Sequence, residues 1–169
     1  PVLWSVAPGG SHALSAGADD RAFLWRIGPS PRRLRHWRNP RGCAVTAAAV
    51  DTTGGRVALG FEDGRLLVSD LLHDTTVDLG DAHDGPVAAL LFAPAGPALV
   101  SAGDDGFVRL WNPARAAATA GTASGDRPLQ ALTASADGQL LFGVDGEGDL
   151  VVRDAADGSE RQRQRGPGP

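Results

Sequence analysis

Short apolar runs of four to six residues alternate with polar turns along the whole chain. In the clearest stretch, the apolar runs 87–92, 98–102 and 108–112 are separated by turns at 93–96 and 103–106 that are rich in Gly, Pro and Asp. Runs of this length between turn residues are typical of β-strands. No segment shows helical periodicity over ten residues, so the pattern predicts an all-β chain.

This strand pattern repeats at a step of about 42 residues. One aligned position holds Trp25, Ser69, Trp111 and Arg153, with spacings of 44, 42 and 42 residues. A second aligned position is always glycine, which predicts a tight hairpin with positive φ, at Gly10, Gly54, Gly96 and Gly138. The predicted first strands are 1–6, 45–50, 87–92 and 129–134; the second are 13–16, 56–60, 98–102 and 140–144; the third are 22–26, 66–70, 108–112 and 150–154; the more polar fourth are 34–37, 76–79, 117–122 and 160–163.

Self-similarity at 40 to 45 residues is the sequence signature of a four-stranded propeller blade. The first strands are apolar almost without alternation, which indicates that both of their faces are covered. Because a blade cannot cover its own apolar faces, each blade needs neighbours. The predicted blades lie at about 1–38, 43–80, 85–123 and 127–163, and a Gly- and Pro-rich tail follows at 164–169.

The third repeat resembles the WD40 family. A blade of that family carries a His before the inner strand, a Ser or Thr on the second strand, an Asp in the next turn and a Trp on the third strand. His83, Ser101, Asp105 and Trp111 match all four positions. The resemblance implies a structural tetrad, in which Asp105 accepts from the imidazole, the other ring nitrogen meets the hydroxyl, and the hydroxyl accepts from the indole N–H.

The other repeats match the tetrad only in part. The first repeat keeps Ser15, Asp19 and Trp25, and the second keeps Asp63. The aligned positions that depart from the pattern are Arg41, Leu59 and Ser69 in the second repeat, and Gly125, Gly143, Glu147 and Arg153 in the fourth. Over residues 1 to 163 the resemblance implies WD40-type β-propeller blades, arranged as four four-stranded antiparallel sheets in a partial or open ring.

Two patterns suggest chemistry, and both have a simpler interpretation. His83, Ser101 and Asp105 form a hydrolase-like trio, but Ser101 lies inside a predicted strand, without the exposed sharp turn and oxyanion hole that a nucleophile needs. The acidic turn at 145–149 loosely resembles a Ca²⁺ loop but lacks its closing bidentate Glu. We therefore predict no catalytic residue, no metal and no cofactor.

Propellers bind partners at the blade ends, where loops meet. The resemblance points to the positions just before the turn carboxylate, and the mixed charge of these loops predicts a polar rim. These features favour a protein–protein interaction scaffold, or the sensing module of a larger protein, with a protein partner that the sequence does not name. The candidate partner-binding residues are Ala18, Arg38, Arg41, Glu62, Asp84, Asp104 and Arg127.

One basic stretch supports an alternative function. Arginine next to aromatic residues can grip phosphates or stack on bases, so residues 26–41 are a candidate site for nucleic acid or another polyanion. The outer strand alternates, however, and its arginines should point in several directions, so we favour a solvated strand. The residues concerned are Arg26, Arg32, Arg33, Arg35, His36, Trp37, Arg38 and Arg41.

Composition adds limits to these functions. A net charge of −4 argues against a general preference for nucleic acid or membrane, and no apolar stretch reaches 18 residues. We expect a cytoplasmic protein without membrane contact. All 16 basic residues are arginine, which suggests a high-GC bacterium, and the resemblance then implies a signalling protein. The single Cys43 is interpreted as a small buried hydrophobe.

Four blades raise the question of what covers the two ends of the row. WD40-type rings favour about seven blades, so the outer flanks of the first and last blades should be apolar and open. We expect either a fragment of a longer protein with more blades, or self-association in which two copies make eight blades.

Overall fold

The computed structural model describes residues 2–6, 11–94, 98–115, 117–123 and 127–166, with the backbone alone at 2–6, 117–120 and 122–123. Sixteen strands form four antiparallel sheets of four strands each, and every sheet is a meander of consecutive strands. Blade one contains β1 (Val2–Val6), β2 (His12–Gly17), β3 (Arg21–Arg26) and β4 (Arg32–Arg38). Blade two contains β5 (Val45–Val50), β6 (Arg56–Phe61), β7 (Arg65–Asp70) and β8 (Thr75–Asp81). Blade three contains β9 (Val87–Phe92), β10 (Leu99–Gly103), β11 (Phe107–Asn112) and β12 (Ala117–Ala123). Blade four contains β13 (Leu129–Ala134), β14 (Leu140–Asp145), β15 (Leu150–Asp154) and β16 (Glu160–Gln164).

The predicted fold class is therefore confirmed: the described residues form all-β, four-stranded antiparallel sheets that are consistent with WD40-type blades and are not closed into a ring. The polar fourth strands of blades two and four, β8 and β16, are formed. A single 3₁₀ turn at Pro113–Arg115 was not predicted. It lies between β11 and β12, and the fixed φ of Pro113 is compatible with its first position.

Residues of one strand point alternately toward the preceding and the following blade, which defines a backward face and a forward face of each sheet. Three buried apolar clusters fill the three junctions between successive blades. The first joins the forward face of blade one to blade two through Leu14, Leu24, Val57 and Phe61. The second joins blades two and three through Leu66, Val68, Leu99 and Trp111. The third joins blades three and four through Val100, Leu110, Leu141 and Val151.

Two of the aligned turn glycines confirm the predicted hairpins, since Gly54 and Gly138 have φ values of 71° and 70°. Gly10 and Gly96 lie outside the described residues. A third glycine makes a close approach between blades. Gly64 has a φ of 82°, its carbonyl accepts the His83 N–H at 3.0 Å, and a Cβ there would overlap the His83 carbonyl. The turn of blade two therefore fixes the loop that leads into blade three.

The blades follow one another in chain order. The inner strand β9 packs against both β5 and β13, and β5 packs against β1. Within the described ranges, β13 has no comparable packing with β1, so blades one and four each have one neighbouring blade. None of the described segments forms a helix that is long and apolar enough to span a bilayer.

The hydrogen-bonded set of blade three and the candidate interaction surfaces

The structure brings His83, Ser101, Asp105 and Trp111 into one hydrogen-bonded set. His83 lies in the loop before β9, and Asp105 lies in the turn between β10 and β11. The His83 Nδ1 is 2.9 Å from the Asp105 Oδ1, and the Nε2 is 2.7 Å from the Ser101 Oγ. The Trp111 indole N–H donates to the same Oγ at 2.8 Å. The set therefore connects the loop, the turn and two strands of blade three.

The charges around Asp105 determine the protonation of the set. Burial alone would raise the pKa of Asp105, but hydrogen bonds from His83, Arg109 and the Phe107 amide outweigh it and hold this pKa at about 2. Burial lowers the pKa of His83, against the opposing effect of Asp105, and so favours the neutral ring. A charged Asp105 accepts from Nδ1–H, which leaves Nε2 to accept from the Ser101 hydroxyl. Every polar group of the set is then satisfied.

Arg109 is a member of this cluster that sequence reasoning missed. Its Nη1 donates to the Asp105 Oδ2 at 2.7 Å and also lies 2.6 Å from the His83 Nδ1, so two donors crowd around one carboxylate. Its guanidinium lies 4.8 Å from the centroid of the exposed Phe107 ring. The signal was present in the sequence, because the hairpin with its turn at 103–106 places Arg109 directly opposite Ser101 and therefore on the same face as the set.

The hydroxyl of Ser101 is fully buried in the middle of β10. Its two hydrogen bonds, to His83 and from Trp111, occupy the oxygen on both sides. A substrate carbonyl has no approach to an oxygen in this position, whereas a nucleophilic serine must be exposed at a sharp turn. The geometry of the trio is therefore that of a structural cluster.

Blade one keeps half of the set. The Trp25 indole N–H donates to the Ser15 Oγ at 2.8 Å. The aligned carboxylate, Asp19, is exposed, and the buried carboxylate is instead its neighbour Asp20. Asp20 has a φ of 60° and aligns with Gly106 of blade three, so this left-handed position turns its side chain toward Arg38, whose Nε donates to it at 2.8 Å.

Blades two and four replace the His–Asp contact with a surface ion pair. In blade two, Arg41 occupies the histidine position and lies 3.4 Å from Asp63 and 2.8 Å from Asp81. In blade four, the histidine position Gly125 lies outside the described residues, but Arg127 reaches the aligned Glu147 at 2.6 Å. The sequence pattern alone gave no partner for Glu147. These arginines are partly exposed, so we expect each pair to contribute less than the buried set of blade three.

The tryptophan position of these two blades also has a different donor. The Ser69 Oγ lies 3.4 Å from the Thr75 carbonyl and 3.2 Å from the Thr76 hydroxyl. Arg153 is buried, and its Nη1 donates to the Gly158 carbonyl at 2.8 Å while its Nη2 donates to Glu160. Both side chains contact the beginning of the outer strand, Ser69 at β8 and Arg153 at β16, whereas Trp111 contacts Ser101.

The candidate partner-binding residues lie at one end of the blades, here called the loop end, which carries the turns between second and third strands and the loops between blades. Ala18, Glu62, Asp84 and Asp104 are exposed there. The three candidate arginines each pair with a carboxylate: Arg38 with Asp20, Arg41 with Asp63 and Asp81, and Arg127 with Glu147. The loop end therefore presents both signs of charge in fixed positions.

A groove lined by both leucines and polar side chains lies at the opposite end, between blades one and two, and sequence reasoning did not find it. It encloses about 750 Å³, and an ion pair between Arg35 and Asp74 lies across it. Leu72 in the β7–β8 loop is 83% exposed, and Leu34 of β4 is also exposed. Two features of the sequence could have indicated the groove: Leu34 is an isolated leucine among arginines, and Leu72 lies in a polar turn. The groove is lined by His12, Leu24, Leu34, Arg35, Thr53, Gly54, Gly55, Leu71, Leu72 and Asp74.

The arginines of the basic stretch do not form one patch. The Arg33 guanidinium lies 5.6 Å from the Phe23 ring centroid on the backward face of blade one. Arg35 points the other way, to Asp74 of blade two, and Arg38 and Arg41 are bound by carboxylates at the loop end. Trp37 is buried, so its ring is not available at the surface, and the exposed His36 lies against Phe23 with 6.4 Å between ring centroids.

Cys43 is half-exposed, which differs from the buried hydrophobe that its neighbours suggested, because it lies in the loop before β5. Burial, with the nearby Asp63 and Glu62 charges, raises the pKa of its thiol, so the thiol is a weak nucleophile at neutral pH. Among the residues described, no three His, Cys, Asp or Glu side chains converge on a point where they could hold a metal ion.

Comparison with known proteins agrees with this geometry. Residues 75–112 match the family model described as "WD domain, G-beta repeat". That segment begins in β8 of blade two and ends with β11 of blade three, so the matched repeat contains all four members of the set. The chain is also similar to the Periodic tryptophan protein 2 homologs of Mus musculus and Neurospora crassa, with 34% and 33% identity over 82 residues. The matched segment covers 48% of this chain and 9% of each relative, so the similarity spans about a tenth of the relatives' length.

Proposed function

We propose that this chain, whose residues 75–112 match the WD40 repeat model of a family that generally mediates protein–protein contacts, is a protein-interaction scaffold without catalysis of its own. The protein partner contacts the loop end. The observation that carries this proposal is the set of ion pairs at the loop end. Each candidate arginine there is paired with a carboxylate in a turn between second and third strands: Asp20, Asp63 or Glu147.

Such an arrangement favours recognition of a polar, charged partner surface. Side chains that are already ordered lose less conformational entropy on binding. Alternating charges discriminate between partners, because a like charge placed opposite any of them is unfavourable. Exposed Asp84 and Asp104, beside the Arg109–Phe107 pair, give blade three an anchor where an aromatic ring and a cation adjoin acidic groups.

Site-specific photo-crosslinking tests which end of the blades binds. A photoreactive residue is placed at Asp104 on the loop end, at Leu72 in the groove, or at Asp157 in the β15–β16 loop as a control. We expect a protein of the source cell to crosslink from position 104 and not from 157, and Asp104→Arg to abolish its recovery while Asp157→Arg leaves it unchanged. Crosslinks from position 72 alone would assign the partner to the groove, and crosslinks from none of the three would contradict a scaffold function.

We further propose that the chain is the sensing module of a larger bacterial signalling protein in the cytoplasm. The support for a bacterial source is the use of arginine for all 16 basic residues. The mouse and fungal relatives are similar to this chain in its repeats, and this similarity does not indicate the source organism of the chain. Sequencing of the complete reading frame tests it: an adjoining kinase or NTPase domain is expected, and a frame without any signalling domain would contradict it.

Polyanion binding through residues 26–41 remains the alternative function. The dispersal of Arg33, Arg35 and Arg38 over two faces and one end of blade one counts against it, because phosphate tracking needs a continuous basic groove. A salt titration with single-stranded DNA separates the two functions.

A further inference from the structure

The groove between blades one and two concentrates exposed apolar side chains. Leu72 is 83% exposed, Leu34 is also exposed, and both line the groove together with the buried Leu24. The exposed Ile27 lies in the β3–β4 turn at the same end of blade one. Three of the six exposed large apolar side chains among the described residues are therefore found in this groove or in the adjacent turn. Clustered apolar groups at a surface mark an interaction site.

Cationic side chains form a row along the blade-one side of the same groove. The strand register pairs His12 with Arg26 and Arg26 with Arg32, so these three residues lie side by side across β2, β3 and β4. Directly opposed residues of neighbouring strands point to the same face of the sheet. Because His12 lines the groove, as does Arg35 farther along β4, the whole row lies on the groove side of blade one.

The positive charge of this row is only partly neutralised. Within the described ranges, neither Arg26 nor Arg32 forms an ion pair with an Asp or Glu side chain. Ion pairs do form at the other arginines nearby in blades one and two: Arg35, Arg38, Arg41, Arg56 and Arg65. A local excess of positive charge in a chain with a net charge of −4 attracts a negatively charged partner.

Asp74 is a carboxylate of the groove itself, and it pairs with Arg35 across it. The Asp74 side chain is 75% exposed, and an exposed ion pair contributes little to stability. A carboxylate of a bound partner therefore replaces Asp74 at Arg35 at a small cost. Asp74 has a φ of 53°, a left-handed conformation that asparagine also adopts, so Asp74→Asn removes this competing charge without straining the turn.

We propose that the groove binds an extended acidic peptide segment of a partner protein. A bulky apolar side chain of the peptide lies between Leu34 and Leu72, and its flanking carboxylates accept hydrogen bonds from Arg32 and Arg35. Such charge-assisted bonds from a guanidinium to a carboxylate are among the stronger hydrogen bonds of proteins. The groove lies at the end opposite to the loop end, so this inference is independent of the partner proposed there.

The shape and lining of the groove favour a peptide over other anionic ligands. A small molecule is normally enclosed over most of its surface, whereas Leu72 projects into solvent and leaves this groove of about 750 Å³ open to a chain that continues past it. Single-stranded nucleic acid stacks its bases on aromatic side chains, and the described lining has leucines where such rings would be needed.

Selection from a phage-displayed library of random short peptides, with the 169-residue chain as bait, tests the proposal. Phages that also bind the Leu72→Asp chain are removed first, so the remaining peptides require the groove. Because Leu72 is exposed, this substitution leaves the core intact, which circular dichroism verifies. We expect the selected peptides to share a Leu, Ile or Phe next to Asp or Glu. Peptides without this consensus, or a consensus of basic residues, would overturn the proposal.

Fluorescence anisotropy of one selected peptide then separates the groove from general electrostatic attraction. Arg32→Glu places a like charge opposite the peptide and should weaken its binding by at least about tenfold. Asp74→Asn should tighten binding severalfold, a result that damage to the fold does not produce. Arg115→Glu is the matched control and should leave binding unchanged, because this exposed arginine lies at the same end of blade three and has no ion pair with another described residue.

A peptide in which serine replaces the apolar residue tests the contribution of the leucines. We expect it to bind at least about tenfold more weakly, since the buried apolar area is lost. Equal binding of the two peptides, equal effects of Arg32→Glu and Arg115→Glu, or no gain from Asp74→Asn would each overturn the proposal. Tighter binding of a labelled single-stranded DNA than of the peptide would assign the groove to nucleic acid and would overturn it as well.

Discussion

Substitution of Ser101 by alanine isolates the contribution of the buried set, because it removes one oxygen and almost no volume. The oxygen is fully buried and takes part in two hydrogen bonds, to the His83 Nε2 at 2.7 Å and from the Trp111 Nε1 at 2.8 Å. Without it, a buried indole N–H and a buried ring nitrogen both lose their partners. Each unsatisfied buried group costs about 1–3 kcal/mol, so with two such groups we expect Ser101→Ala to lower the free energy of unfolding by about 2–6 kcal/mol.

Ser15→Ala in blade one is the matched control. It removes the same atom from the aligned position, and the Trp25 N–H donates to it at the same distance of 2.8 Å. This indole is half-buried and no histidine contacts the Ser15 hydroxyl among the described residues, so water can replace the lost partner. We expect a loss of about 0.5–1.5 kcal/mol, the usual net value of one hydrogen bond.

Urea unfolding at pH 7.5, followed by far-ultraviolet circular dichroism, measures both variants at fixed protein concentration. The linear dependence on denaturant gives each free energy, and an unchanged slope shows that the compactness of the states is preserved. The reasoning predicts that Ser101→Ala costs at least twice as much as Ser15→Ala. Equal losses, or a larger loss for Ser15→Ala, would refute the view that burial and the second hydrogen bond make blade three different.

Three further measurements follow from the same contacts. Burial lowers the pKa of His83, so below about pH 6.5 the unfolded chain binds a proton that the folded chain does not, and the free energy of unfolding should fall as the pH decreases. In His83→Gln the free energy of unfolding should stay flat over this pH range. Asp105, with its pKa of about 2, should become protonated between pH 4 and 2, which should remove about 2 kcal/mol more. Gly80→Ala places a Cβ in open space at a φ of 75° and should lower the free energy of unfolding by about 1–2 kcal/mol. Gly64→Ala places a Cβ that overlaps the His83 carbonyl, so it should lower this free energy by at least about 2 kcal/mol more. Equal melting temperatures of the two variants would contradict this. In 150 mM salt, anisotropy of a labelled single-stranded DNA should show no affinity tighter than about 100 µM, and micromolar binding that Arg32→Ala and Arg33→Ala abolish would restore the polyanion alternative.

The fold could be predicted because its determinants are local and repeated. Each strand is a short apolar run between turn residues, and the alignment of Gly54 with Gly138 fixes the hairpins through backbone geometry alone. The outer strands, such as β16, were the least certain because they are polar, and polar strands differ little in composition from loops. The 3₁₀ turn at Pro113–Arg115 was missed because it is a single turn with no periodicity.

The contacts that replace the set were harder to predict, because they depend on side-chain reach rather than on aligned positions. Arg127 lies two residues after the aligned histidine position, yet its long side chain reaches Glu147. Asp20 took the buried position that the alignment gave to Asp19, since backbone φ decides which of two adjacent carboxylates turns inward. The groove between blades one and two combines five separate segments, so no single stretch of sequence carries its pattern.

The way in which the set is absent from other blades supports its structural role. In blade two, Leu59 occupies the serine position and is buried, so the apolar side chain leaves no hydroxyl without partners. In the same blade, Ser69 finds Thr75 and Thr76 instead. In blade four, a glycine occupies the serine position, and Arg153 donates to the Gly158 carbonyl. Removing all members of a buried polar network can be nearly neutral, whereas removing one leaves the others unpaired. In blades two and four the residues at the serine and tryptophan positions either contact other partners or carry no polar side chain, which is the pattern expected of groups that serve the packing of the blade.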